Sequence, residues 1–204
     1  SLLGEERATV EEYRSDEIRW RRALHSLWDE TLQFFVTRTY PPPESRKEAI
    51  RKRRTKVGKL YSPPGPCPPK WKNGERVNVR ELMGLSWPFY HQQASPEHAI
   101  AWRQIKLEDG FAAKWGLRAA ERRHPCYNFT TWCQTSWNGP VWPFESAKTA
   151  TALINSLHDS TMRIALKEQA QVGPSDFFRL LNTYAIMHTK GTARAHPQGE
   201  PFIG

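Results

Sequence analysis

Trp115–Phe144 reads WGLRAAERRHPCYNFTTWCQTSWNGPVWPF, and this stretch decides how the rest of the chain is read. Trp115, Trp132, Trp137 and Trp142 fall within it, together with Tyr127, Phe129 and Phe144. Arg118, Glu121, Arg122, Arg123, His124, Asn128, Gln134 and Asn138 are interleaved with them. Such a mixture suits a sugar. A pyranose offers apolar C–H faces to aromatic rings and a rim of hydroxyls that needs both donors and acceptors. Trp137-Asn138-Gly139-Pro140 has turn composition, with Gly139 allowing a close backbone approach. Tryptophans more often serve cores than ligand platforms, and composition alone favours that reading. Their position in a polar loop, rather than on a helical stripe, favours function.

Outward from this loop, helices dominate. Thr9-Val10-Glu11-Glu12 forms a capping-box pattern ahead of a helix with Trp20, Leu24, Leu27 and Trp28 at helical spacing. Ser95-Pro96-Glu97 marks a second start, followed by Ala99, Trp102 and Ile105. A third helix from about Ser146 carries Ala147, Ala150, Leu153, Ile154 and Leu157, and a shorter one holds Met162, Ala165 and Leu166. The last begins at Pro174-Ser175-Asp176, with Phe177, Leu181, Tyr184 and His188 on one face. No segment alternates convincingly with period two, so the class is all-α. Trp102, Leu153, Leu157, Leu181 and Tyr184 are expected in the core of antiparallel helix pairs spanning residues 95–188.

Between these regions lies a segment of different character. Residues 44–72 hold ten Lys or Arg against two acids, so nearly all of the net charge of +9 sits there. Pro41-Pro42-Pro43 opens the segment and Pro63-Pro64-Gly65-Pro66-Cys67-Pro68-Pro69 closes it. Prolines at that density exclude helix interiors and sheet pairing. Residues 38–72 are therefore expected to be a disordered, dispensable insert between a helical segment, 1–37, and the main body, 73–204. A basic run can bind nucleic acid through phosphates. A near-neutral remainder argues against that partner here, and a solvated run is the commoner meaning.

The chain has three cysteines and no CxxC pair, so neither a disulfide framework nor a metal site is indicated, and no cofactor is called for. Reduced thiols favour a cytoplasmic setting, though the localisation stays open. No run approaches the roughly 18 apolar residues of a membrane span. The chain starts without Met or a signal-peptide pattern, so it is expected to lack its true N-terminus.

Several motifs occur in an order that resembles a known family. These are Val79-Arg80-Glu81-Leu82-Met83-Gly84, Ala101-Trp102 and Gly110-Phe111-Ala112-Ala113, then Gly116-Leu117, Ala120-Glu121, His124-Pro125 and Tyr127. The strongest is Trp137-Asn138-Gly139-Pro140-Val141-Trp142-Pro143. They look like the mannosylglycerate hydrolase-like glycoside hydrolase domain, related to glycoside hydrolase family 63 and its glucosidase I type. The likeness covers about residues 73–204 and, less fully, 9–36. Residues 40–72 have no counterpart in it. The resemblance implies a partial (α/α)6 barrel of the six-hairpin glycosidase type, with the C-terminal part present and about half the helices of a complete barrel. It implies action on α-linked gluco- or manno-configured glycosides by an inverting, two-carboxylate mechanism, with a carbohydrate as partner.

It also implies a sugar-binding set of Trp137, Asn138, Gly139, Trp142, Tyr127, His124 and Glu121. Glu200 is the in-chain candidate for the catalytic base, whose best alignment falls just past Gly204, and the family's acid motif has no match. With both carboxylates absent or unplaced, the isolated chain is expected to be inactive. The alternatives are an inactive sugar-binding remnant and, through the insert, nucleic-acid binding. Arg80 with Glu81 reads as a helix-end ion pair, Glu145 as a first-turn acid and His188 as a core histidine.

Overall fold

A computed structural model describes residues 7–38, 79–124, 127, 139 and 141–189. The expected insert at 38–72, Trp137, Asn138, Glu200 and the His188 side chain therefore fall outside the described residues, apart from Arg38.

Helix α1 spans Arg7–His25 and starts ahead of the Thr9 box, so Thr9 and Glu12 lie inside it. Trp20 is exposed, and Leu27 and Trp28 lie beyond the helix end. The stripe expected on α1 is thus not a helical core face: only Leu24, at the helix end, packs on the core with them. Trp28–Asp29 forms β1, paired antiparallel with β2, Phe34–Phe35. Asp29 Oδ1 turns the chain between them by accepting the amides of Thr31 at 3.0 Å and Leu32 at 2.9 Å.

Helix α2, Met83–Tyr90, lies directly on β2. Gly84 makes this possible: a Cβ there would overlap the Phe35 carbonyl oxygen and stand 2.9 Å from Phe34 Cε1. A 3₁₀ helix follows over Pro96–Ile105. Its three residues per turn place Ala99, Trp102 and Ile105 on a single line, and all three are fully buried. Ser95 does stand at the cap with Pro96 next, in a capping box with His98. His98 reaches back, its Nδ1 accepting the Ser95 amide at 3.0 Å.

Residues 109–144, whose Gly, Pro and aromatic content reads as one long ordered loop, contain a tight hairpin, β3 at Ala112–Ala113 against β4 at Gly116–Leu117. Helix α3, Pro143–His158, begins at its proline, three residues ahead of the start expected at Ser146. Asp159 caps α4, Ser160–Ala165, by accepting the Met162 amide at 2.7 Å. One π turn, Leu166–Ala170, ends at Gln171 with a φ of 55°. Helix α5, Pro174–Thr189, opens where expected, with Asp176 Oδ2 accepting the Gly173 amide at 3.1 Å.

One core joins these elements. It contains Phe34, Phe35, Leu82, Leu85, Phe89, Trp102, Phe111, Leu153, Leu166 and Leu180. Of two adjacent leucines, Leu180 is buried and Leu181 is exposed, so the inner face of α5 lies one residue from the expected one. Tyr184 is half-buried against Val141. That contact sets the C-terminal half of α5 beside the start of α3, making the two helices antiparallel. Helices α2 and α3 run in the same direction instead: Ser86 meets Glu145, Trp87 meets Lys148, and Tyr90 meets Asn155.

His98 gives the fold a pH dependence. Its ring sits among Trp28 at 4.4 Å, Phe35 at 4.8 Å and His25 at 5.1 Å between centroids. Burial holds its pKa below the ordinary 6.5; Glu97 and Glu30 oppose the shift, and His25 adds to it. In the window between the folded value and 6.5, the unfolded chain holds the extra proton. The stability this histidine contributes is therefore complete above 6.5 and lost as pH falls through the folded value. Burial pushes the Glu81 carboxyl above 4.5, with the Thr37 hydroxyl bond opposing, and this works in the reverse sense at lower pH. The melting temperature is expected to fall between about pH 7.5 and 5.5, and His98→Phe should narrow that fall. An unchanged fall in the variant would remove His98 as its source.

Candidate functional site

Three backbone segments meet at the starts of α2 and α3. Leu82 N donates to Ala119 O at 2.8 Å, and Ala119 N donates to Gly139 O at 3.0 Å. Isolated bridges pair Glu81 with Ala120 and Arg118 with Val141. This clasp fixes both ends of the aromatic loop at one end of the α2–α3 pair. Residues 121–124 leave the clasp, and Gly139, Val141 and Trp142 return through it.

A buried ion-pair network locks the outgoing side. Glu121 is 2% exposed. Its Oε1 accepts the Arg80 amide at 2.9 Å, and its Oε2 accepts Arg80 Nη1 at 2.8 Å and Arg123 Nε at 3.0 Å. The rest of the Arg80 guanidinium donates to Leu32 O, through Nη2 at 2.7 Å and Nε at 3.1 Å. Arg80 therefore pairs with Glu121 rather than with its neighbour Glu81, whose Oε2 accepts the Thr37 hydroxyl at 2.7 Å. Two cations and a backbone amide surround the Glu121 carboxylate, which fixes the entry to the loop.

His124 lies one turn on, its amide donating to Glu121 O at 3.3 Å. Tyr127 N in turn donates to His124 O at 2.9 Å, so the chain curls as it enters the loop. Burial lowers the His124 pKa below 6.5, with the Glu121 charge opposing. A neutral imidazole presents one donor and one acceptor, as a sugar hydroxyl requires.

On the returning side, Gly139 is buried in the clasp and Trp142 is half-buried, its ring 5.4 Å from Phe144. Glu145 is almost wholly enclosed and accepts a hydrogen bond from the Ser86 hydroxyl, tying α3 to α2. Thr149 and Ser156 share this inner face, each hydroxyl returned to its own helix at 2.8 Å, on Glu145 O and Ala152 O. Sequence reasoning saw Glu145 only as a first-turn acid. Its spacing of four from Thr149 was the available signal, and the Ser86 partner was not visible.

The structure thus brings Glu121, His124, Tyr127, Gly139 and Trp142 to one end of the α2–α3 pair. Among the described residues, no group of three or more His, Cys, Asp or Glu side chains is placed to hold a metal ion. No helix among them is long and apolar enough to cross a membrane.

A mostly helical body with an aromatic, polar loop clasped at one end is the build of a helical glycosidase domain. The family model for the mannosylglycerate hydrolase MGH1-like glycoside hydrolase domain matches residues 1–200, and the chain belongs to that family. A solved structure titled "Sialidase" is similar over 100% of this chain, with a TM-score of 0.66 and 24% identity. That likeness is one of fold, and the chain spans 15% of the length of that structure's chain. No curated protein matches the sequence.

Proposed function

We propose that the loop Trp115–Phe144 forms one wall of a sugar pocket, serving hydrolysis of α-linked gluco- or manno-configured glycosides with inversion. The observation that supports this most is the clasp, since it sets His124, Tyr127 and Trp142 around the two ends of one loop. Trp137 and Trp142 would stack on pyranose faces. Asn138, His124 and Tyr127 would bond hydroxyls, Gly139 would let the backbone approach, and Glu121 would hold the loop entry. Membership in a glycoside hydrolase family supports a carbohydrate substrate.

Inversion needs an acid that protonates the leaving oxygen and a base that activates water on the opposite face, with carboxyls roughly 6.5–9.5 Å apart. Glu200 is the candidate for the base. A second reading, sugar binding without turnover, is favoured by the engagement of the enclosed carboxylates beside the loop. Glu121 is held by Arg80 and Arg123, and Glu145 is held by Ser86.

Titration of the chain with gluco- and manno-oligosaccharides, beside a hydrolysis assay, tests both readings. Trp137→Ala and Trp142→Ala are each expected to weaken binding about five- to tenfold, the scale of one lost aromatic stack. Binding indifferent to both would return these rings to a packing role. Turnover that disappears in Glu200→Gln would establish hydrolysis with Glu200 as its base. Binding without turnover would establish the second reading.

A further inference from the structure

Along the outer rim of the α2–α3 pair runs a line of side chains that the core does not use. Phe144 is 57% exposed and Trp87 is 49% exposed. Lys148, one turn along α3 from Phe144, holds its Nζ 4.5 Å from the centre of the Phe144 ring and 4.9 Å from that of Trp87. The line continues through His91, 6.1 Å from Trp87, to Tyr90, 5.0 Å further on. Asn155 Nδ2 fastens the far end by donating to Tyr90 O at 3.0 Å. At the near end the line joins Trp142 through Phe144, continuous with the wall described above.

The packing between these helices lies underneath, in Leu85, Leu153 and the Ser86–Glu145 bond. The exposed rings are therefore not needed to close that interface, and exposed apolar surface of this kind marks a recognition face. Lys148 is equally telling. Among the described residues no carboxylate pairs with it, and its ammonium is held over two rings with protons left for a ligand.

We propose that this rim is a subsite for an acidic oligosaccharide, extending the sugar pocket past Trp142. Phe144 and Trp87 take the apolar faces of two successive sugar units, and Lys148, which lies between the two rings, pairs with the carboxylate of whichever unit is a uronic acid. The proposal rests on the carbohydrate reading of the loop and narrows its substrate to a chain that carries negative charge.

The test compares two oligosaccharides of equal length, one neutral and one containing uronic acid, titrated into the 204-residue chain. The acidic sugar is expected to bind about tenfold tighter, the scale of one hydrogen bond to a charged group. Lys148→Met should abolish that preference while keeping neutral binding and the melting temperature. Trp87→Ala combined with Phe144→Ala should weaken both sugars. Equal affinity for the two sugars, or a preference that survives in Lys148→Met, overturns the proposal. Neutral binding that needs Trp142 but neither Trp87 nor Phe144 overturns the subsite while leaving the pocket intact. Binding of neither sugar defeats the pocket and the subsite together.

Discussion

Replacing Glu121 with alanine is expected to lower the unfolding free energy by about 3–5 kcal/mol, the cost of leaving a buried charge without its partner. The Arg80 side chain is 14% exposed, and its guanidinium is bonded on one side to Leu32 O and on the other to Glu121. Without the carboxylate, that cation stays enclosed with one of its three bonds, and its only charged partner among the described residues, gone. Arg123 also loses its shorter acidic contact, keeping only Asp109 at 3.6 Å. The clasp then loses the bond from the Arg80 amide as well. Glu121→Gln keeps acceptor capacity and should cost less than alanine. Urea unfolding measures both variants. A loss below about 1 kcal/mol for alanine would mean that the pair is as weak as an exposed one.

Trp102→Ala is the second large effect, also about 3–5 kcal/mol by the usual cost of emptying a buried aromatic site. Trp102 is fully buried in the middle of the 3₁₀ helix, its ring 5.3 Å from Phe89. Its indole Nε1 has no acceptor among the described residues. Trp102→Phe therefore removes an unsatisfied donor along with some volume, and it should cost clearly less than alanine. Thermal or urea unfolding of the two variants checks the order. Equal losses would show that ring size, rather than ring presence, decides the stability of this site.

Helix starts marked by local chemistry were legible in the sequence. Ser95-Pro96 and Pro174-Ser175-Asp176 open elements as read, because a cap depends on its immediate neighbours. The type of helix was not legible at Ala99, Trp102 and Ile105, since a spacing of three fits both a 3₁₀ line and an α stripe. Leu180 and Leu181 show a similar limit: two adjacent leucines leave the burial choice to the position of α3. Trp20 looked like core by period, but α1 meets the core only near its C-terminal end.

For the candidate site, the aromatic motif announced the loop, and Gly139 and Trp142 stand at its return. The Arg80–Glu121 pair joins residues 41 positions apart, a choice made by the clasp and not by any local pattern. The Ser86–Glu145 bond spans 59 positions in the same way.

The shared direction of α2 and α3 also governs how the chain assembles. Helical proteins usually fold fast because most contacts are made between near neighbours in sequence. Here Asn155 meets Tyr90 across 65 positions, and His25 meets Gln93 across 68. Two helices pointing the same way cannot be joined by a short turn, so the chain must travel back through the hairpin and the clasp before they can dock. Loop closure must therefore precede the contacts that reward it, and this raises the entropic barrier. Folding is therefore expected to be slower than for a bundle of sequence-adjacent helices, although the described secondary structure is mostly helix.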